Sequence, residues 1–194
     1  LLCAATDLES SLLREKMRGR ANTRIITTGV GPVNAAHAVT LAIAERRPQR
    51  IVMCGVAGAY PEAALQTGDV VCASVEIYGD LGAQSPTGFL DMKALGFPVV
   101  ASGPIFNELP MQVFPVERQV PFVTVSTCTG TSETAAELQR RTGGAVENME
   151  GAAVAHVALL HGIAVGEIRG ISNLVTNRDK SSWRLKEAVI AAQQ

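Results

Sequence analysis

The sequence predicts an α/β fold: a single domain spanning residues 1–194, with a mostly parallel central sheet flanked by helices in a three-layer sandwich. Short apolar runs of β type alternate with amphipathic helical segments. Gly-rich turns separate the two. The hydrophobic fraction of 47% against 18% charged residues suits a buried core and excludes a disordered or fibrous chain.

Leu1–Ala5 opens as a strand, and Asp7–Arg18 follows as a helix with Leu8, Leu12, Leu13 and Met17 on one face. Arg24–Thr28 is a second strand, ended by Gly29-Val30-Gly31-Pro32. A helix from Val33 to Arg47 has Pro32 at its start and Pro48 past its end. Arg50–Cys54 is a third strand, closed by the turn Gly55-Val56-Ala57-Gly58. Asp69–Tyr78 is a longer buried strand. Gly79–Gly103 is rich in Gly and Pro and is expected to be mostly loop, with a helical turn near Leu90–Leu95. Pro121–Ser126 is a strand, Thr131–Arg141 a helix, and Ala145–Asn148 a short extended piece. Met149–His161 is helical, Ile163–Ser172 is a strand, and Ser182–Ala192 is a closing helix.

Seventeen Lys and Arg against eighteen Asp and Glu give a net charge of −1, so no basic field invites nucleic acid. Of four cysteines, Cys3, Cys54 and Cys72 lie in apolar runs and read as reduced, buried thiols of a cytoplasmic protein. Cys128 stands among hydroxyls in Ser126-Thr127-Cys128-Thr129-Gly130 and is a pocket candidate. The longest apolar stretch, Gly151–Gly166, contains His156 and His161 between Glu150 and Glu167. It reads as a helix entering a strand, not a membrane span. No basic segment precedes an apolar one at the start, so no secretory signal is expected.

Several motifs fail. Gly29-Val30-Gly31-Pro32-Val33-Asn34 lacks the third glycine of a dinucleotide fingerprint. P-loop, GxSxG and HExxH patterns are absent, and no metal or organic cofactor is expected. Four spots survive, each at a strand end, where open α/β sheets bind ligands. They are Ala4-Ala5-Thr6-Asp7-Leu8-Glu9, Gly55-Val56-Ala57-Gly58, Glu147-Asn148-Met149-Glu150-Gly151-Ala152 and Arg169-Gly170-Ile171-Ser172-Asn173.

Together these resemble the purine nucleoside phosphorylase and nucleosidase superfamily over essentially the whole chain. The Met-Glu-Gly-Ala element at 149–152 and the Arg-x-Ile-Ser-Asn element at 169–173 carry the likeness. Residues Gly79–Pro86 with Phe89-Leu90-Asp91 look like the insertion of one subfamily. Its members hydrolyse a hypoxanthine nucleoside bearing a carboxyphenyl arm, in the alternative menaquinone route. The resemblance implies a nucleoside phosphorylase-like fold, a small-molecule nucleoside substrate and a homo-oligomer, dimer or larger. It also implies that the 79–103 insertion recognises the arm.

The same resemblance assigns roles. Glu150 clamps the ribose diol, because one carboxylate accepts from two hydroxyls, and it offsets an oxocarbenium-like charge. By itself a first-turn Glu serves equally to complement the helix dipole. Glu9 orients the attacking water; alternatively it closes the capping box that begins at Thr6. Asn173 supplies an amide donor to a 6-oxopurine, whose N7 and O6 both accept, or else it shapes the turn that follows. Asp179 is the reserve acid for the leaving base, against a plain surface carboxylate. Ala57 and Gly58 offer amides and close approach, or form a tight turn. Met149 packs beneath the sugar or in the core, and Arg169 lines the nucleophile pocket or makes a structural ion pair. Thr127, Cys128 and Thr129 wall the base pocket, where related enzymes place an aromatic. Asn148 stands where a Glu is common.

Three alternatives remain open. A phosphorylase would need phosphate. A methylthioadenosine or adenosylhomocysteine nucleosidase would favour Asp at 173. A nucleoside-binding module would need only the diol clamp.

Overall fold

A computed structural model describes residues 1–194. β1 (Leu2–Ala4) runs parallel to both β2 (Ile25–Thr27) and β3 (Arg50–Ala59). β3 runs parallel to β10 (Ala164–Leu174) along nearly its full length. β4 (Val70–Tyr78) lies antiparallel to β10 and parallel to β8 (Arg118–Thr124), and β9 (Val146–Asn148) joins β8 to the far end of β3. Strands β3, β10, β4, β8 and β9 therefore close into a ring, with β1 and β2 extending from it. β7 (Glu108–Pro110), which carries no sequence signal beyond three residues, pairs with β4.

One edge of β3 is shared by two short strands, β1 at Val52 and Met53 and β9 at Gly58 and Ala59. Between them, at Val56, the strand has no backbone neighbour on that edge. Its free peptide groups must find side chains instead, and this gap is where the site forms.

Five helices pack on this sheet. α2 (Pro32–Glu45) and α5 (Gly151–Leu160) lie together, with Ala35, Val39, Ile43 and the run Ala152–Ala155 in one core with Ile51 and Met53. α5 is apolar apart from His156, as a helix buried over most of its length must be. α1 (Asp7–Lys16) is capped by Thr6, whose hydroxyl accepts from the Glu9 amide at 3.3 Å. α4 (Ser132–Thr142) is capped by Thr131 and closed by Gly143 in the left-handed region. α6 (Leu185–Ala192) crosses β10. A Cβ on Gly170 would lie 2.1 Å from the Ala188 carbonyl oxygen, so glycine permits that crossing. Gly170→Ala should cost about 1–3 kcal/mol, typical of overpacking against backbone. Denaturant unfolding would show it, and an unchanged midpoint would contradict this account of the contact.

Three expectations need correction. Gly55-Val56-Ala57-Gly58 is not a turn; β3 continues to Ala59. Its glycines serve approach rather than bending: a Cβ on Gly55 would meet Arg169 Nη1 and Glu9 Oε1, both at 2.6 Å, and one on Gly58 would meet Val175. Within residues 79–103 the helical turn expected near Leu90–Leu95 is α3 (Met92–Leu95), but the loop before it is an antiparallel hairpin of β5 (Gly82–Ser85) and β6 (Gly88–Asp91). Arg141 holds the hairpin, its guanidinium stacked 4.2 Å from the Phe89 ring centroid. The closing helix begins at Leu185 rather than Ser182, after a separate 3-10 turn at Lys180–Ser182.

Candidate active site

A cavity of about 450 Å³ opens at the ends of β1, β9 and β10 beside the gap in β3. That is within the usual range for small-molecule sites. It is lined by Glu9, Ala57, Gly58, Cys128, Thr129, Asn148, Met149, Glu150, Arg169 and Asn173, which come from five separate stretches of chain.

Glu9 is buried and turned toward the gap. Its Oε1 accepts from the Val56 amide at 2.9 Å, and its Oε2 accepts from the Thr6 hydroxyl at 2.7 Å. Thr6 thus caps the helix, but the Glu9 carboxylate does not return to the Thr6 amide as a full capping box requires. The fold spends this carboxylate on β3 and the cavity.

Glu150 stands at the junction of β9 and α5. Its Oε1 accepts from the Gly31 amide at 3.0 Å, and its Oε2 accepts from Arg169 Nη2 at 3.2 Å. Gly29 and Gly31 both have positive φ, of 85° and 96°, which side chains resist. The segment that failed as a dinucleotide fingerprint therefore delivers a backbone donor to Glu150. Two of the four acceptor positions on this carboxylate are occupied, leaving two for ligand hydroxyls.

Arg169 is almost wholly buried at the centre. Its Nε donates to Glu167 Oε1 at 2.6 Å and its Nη1 to the Val56 carbonyl at 3.0 Å. Nη1 also lies 4.0 Å from Glu9 Oε1. Desolvation opposes its charge, but Glu167, Glu150 and Glu9 outweigh that and raise its pKa. One cation thus ties both cavity carboxylates to β3 and β10.

Asn148 is the second hub. Its Oδ1 accepts from the Glu150 amide at 2.9 Å and the Gly151 amide at 2.8 Å, fixing the entry to α5. Its amide group donates to Glu76 Oε1 at 2.5 Å. Asn173 sits where the β10–β3 pairing shifts register between Ile171 and Asn173. Such an irregularity re-aims a side chain. Its Oδ1 accepts from the Ser172 hydroxyl at 2.7 Å, and one amide hydrogen goes to the Leu174 carbonyl at 3.1 Å. The second amide hydrogen is left for the cavity.

Two candidates fall away. Asp179 does not line the cavity; it caps the 3-10 turn, accepting from the Ser181 amide and hydroxyl. Those bonds lower its pKa, so it holds no proton to donate near neutrality. Thr127 is exposed and outside the lining, because the chain leaves β8 and only Cys128 and Thr129 turn inward. The Cys128 thiol lies 3.1 Å from the Met149 sulfur, and burial raises its pKa, which suits a wall rather than a nucleophile. The Cys3 and Cys54 thiols are pushed up to about 12 by burial. No residue from 79 to 103 lines the cavity, so this chain's own insertion does not wall its own site.

Sequence reasoning missed four groups. Glu147 accepts from the Thr129 amide and hydroxyl and from Tyr60, holding the Cys128–Thr129 wall in place. Trp183 lines the cavity together with Leu185 and Val189, an aromatic from a different segment than the one expected. Glu76 and Glu167 lie beneath Arg169 and Asn148. For Glu167 a signal existed: it is two residues before Arg169 on a strand, hence on the same face. No three His, Cys, Asp or Glu side chains converge in a way that would ligate a metal.

A family model described as the phosphorylase superfamily matches residues 14–194. The chain is 34% identical over 209 residues to a futalosine hydrolase of Thermus thermophilus, an alignment covering 98% of this chain and 90% of that one. It is 39% identical over 178 residues to a futalosine hydrolase of Streptomyces coelicolor, covering 86% and 74% respectively. Among solved structures, it resembles a 5′-methylthioadenosine/S-adenosylhomocysteine nucleosidase of Colwellia psychrerythraea in complex with adenine. That match has a TM-score of 0.81 at 21% identity and covers 100% of this chain and 90% of the other. The corresponding nucleosidase of Neisseria meningitidis, with methylthio-immucillin-A, matches with a TM-score of 0.80 at 22% identity over 99% and 94%. At such identities the structural likeness bears on the fold.

Proposed function

The chain belongs to the phosphorylase superfamily, and from that premise we propose that it hydrolyses the N-glycosidic bond of futalosine, giving hypoxanthine and dehypoxanthine futalosine. The observation that carries this reading is the Glu9 carboxylate, turned into the cavity and bound to Val56 rather than closing its own helix cap. A fixed negative charge beside the reacting carbon orients water and accepts its proton, and it repels phosphate. The relatives named futalosine hydrolase support the substrate.

In this mechanism the two free acceptor positions of Glu150 hold the ribose 2′- and 3′-hydroxyls. As the glycosidic bond lengthens, positive charge grows on the sugar, and the Glu150 carboxylate stabilises it. Glu9 draws a proton from water as the water oxygen attacks C1′. The free Asn173 amide hydrogen is offered to an acceptor of the departing 6-oxopurine, and solvent supplies the proton that neutralises the base. Ala57, Gly58 and Met149 shape the sugar site, with Cys128 and Thr129 walling the base.

The reading places the enzyme in the alternative route to menaquinone, in the cytoplasm, as a homo-oligomer. The oligomer is supported by α2, where Val33 and Leu41 stand 81% and 56% exposed on one helical face. No helix is long and apolar enough to cross a membrane.

The test is incubation with futalosine, inosine and methylthioadenosine, with and without phosphate, following free base by chromatography. Phosphate-independent release of hypoxanthine from futalosine supports the hydrolase. Release from inosine only with phosphate would make it a phosphorylase, and preferred cleavage of methylthioadenosine a nucleosidase of that class. Binding without turnover would leave a nucleoside-binding module. Asn173→Asp should lower kcat/KM for the hypoxanthine nucleoside at least about tenfold, the scale of one lost charge-sensitive hydrogen bond. It should also raise relative use of a 6-aminopurine, read as the ratio of the two kcat/KM values. An unchanged ratio would remove Asn173 from base recognition.

A further inference from the structure

Beneath the site lies a second pair of carboxyls that the mechanism does not touch. Glu76, on β4, and Glu167, on β10, are both fully buried. A Cβ placed on Gly151 would fall 2.1 Å from Glu76 Oε1 and 2.1 Å from Glu167 Oε2. The two carboxyl groups therefore converge on one point over the bare Cα of Gly151, where any side chain would displace them.

Their partners are asymmetric. Glu167 Oε1 accepts from Arg169 Nε, while Glu167 Oε2 is buried with no hydrogen-bond partner. Glu76 accepts from the Thr124 hydroxyl at 2.9 Å and from Asn148 at 2.5 Å, with no cation beside it. Two adjacent buried carboxylates repel, and a buried polar oxygen without a partner is costly. A single proton resolves both.

We infer that Glu76 and Glu167 are positioning residues that share one proton: Glu76 carries it and donates it to Glu167 Oε2, leaving one negative charge to anchor Arg169. From this base two arms rise into the cavity. One runs from Glu167 through Arg169 to Glu150, with Glu9 alongside. The other runs from Glu76 through Asn148 and Thr124 to the Glu150, Gly151 and Ala152 amides. The pair thus sets the placement of Arg169 and Asn148, and through them of Glu150.

Burial and the Glu167 charge raise the Glu76 pKa well above the ordinary carboxyl value, in keeping with this arrangement. The groups facing the pair are Arg169 on β10, Glu150 at the head of α5, Cys54 on β3, and Cys72 and Tyr78 on β4, with His156 of α5 behind Tyr78 and Glu9 of α1 beyond Arg169. Burial holds the thiols and the phenol protonated, which leaves Arg169 as the cation beside the pair. Since the shared proton belongs to a group of raised pKa, it is held beyond the ordinary carboxyl range and lost as pH rises through that raised value. Loss leaves two like charges in contact, and the arms above should shift.

The test uses the full chain. Infrared spectra should show a buried protonated carboxylic acid at neutral pH, fading in alkali together with kcat for futalosine hydrolysis. Glu76→Gln should abolish that band and remove the matching alkaline limb from the kcat–pH profile. Glu167→Gln removes the like charge that helps hold the proton on Glu76, so the band should fade at a lower pH than in the wild type, and kcat should fall at least about tenfold because Arg169 loses its anchor. If Glu76→Gln does not fold, Thr124→Val should shift the wild-type band by removing the hydroxyl that donates to Glu76. Absence of the band in the wild type, its survival in Glu76→Gln, or its indifference to Thr124→Val would overturn the inference. Only the kinetic arm rests on the hydrolase reading, so a protein that shows the band and leaves futalosine intact would sink that reading and keep the pair.

Discussion

Replacing Glu150 by Gln should lower kcat/KM by about 10²–10³-fold, the scale on which one preorganised electrostatic partner of a transition state contributes. The amide keeps the shape and still accepts from Gly31, but it carries no charge to set against the developing cation. It also offers one acceptor where the carboxylate offered two. Arg169 keeps Glu167 and the Val56 carbonyl, so the fold should survive. Thermal melting and circular dichroism would verify this before kinetics are compared. Activity within threefold of wild type would return Glu150 to the role of a helix-end charge.

Glu9→Gln should lower kcat by about 10²–10⁴-fold, the range for loss of a general base, with KM little changed. Gln still accepts from the Val56 amide through one oxygen, so the gap in β3 stays occupied. What it loses is the ability to take a proton from water. Equilibrium binding of an uncleaved nucleoside analogue should be nearly the same in both proteins. Wild-type turnover in the variant would leave Glu9 only its contacts with Thr6 and Val56. A loss of binding together with turnover would make Glu9 a substrate contact instead.

Much of the site was legible in sequence because its members sit at strand ends. The elements at 149–152 and 169–173 mark Glu150, Arg169 and Asn173, and all three line the cavity. Asp179 misled because a carboxylate two residues before Ser181 serves as well for a turn cap as for an acid, and only the folded loop distinguishes them. The turn expected at Gly55-Val56-Ala57-Gly58 followed from glycine spacing. The glycines instead clear space for Arg169, Glu9 and Val175, residues far from them in the chain. The hairpin at 82–91 was invisible because neither arm alternates apolar and polar residues over enough length to declare a strand.

Residue order alone determined the α/β class, most of the helices and strands, and the carboxylates at the strand ends, because periodicity and turn residues act locally. The closing of β3, β10, β4, β8 and β9 into a ring depended on pairings between distant segments. So did the open backbone at Val56, which takes one Glu9 oxygen while the other stays on the hydroxyl of the capping Thr6. Glu76 and Glu167 are 91 positions apart and meet only because β4 and β10 are neighbours over Gly151. Where a buried charge finds its partner is a property of the packed interior, and only the tertiary structure decided it.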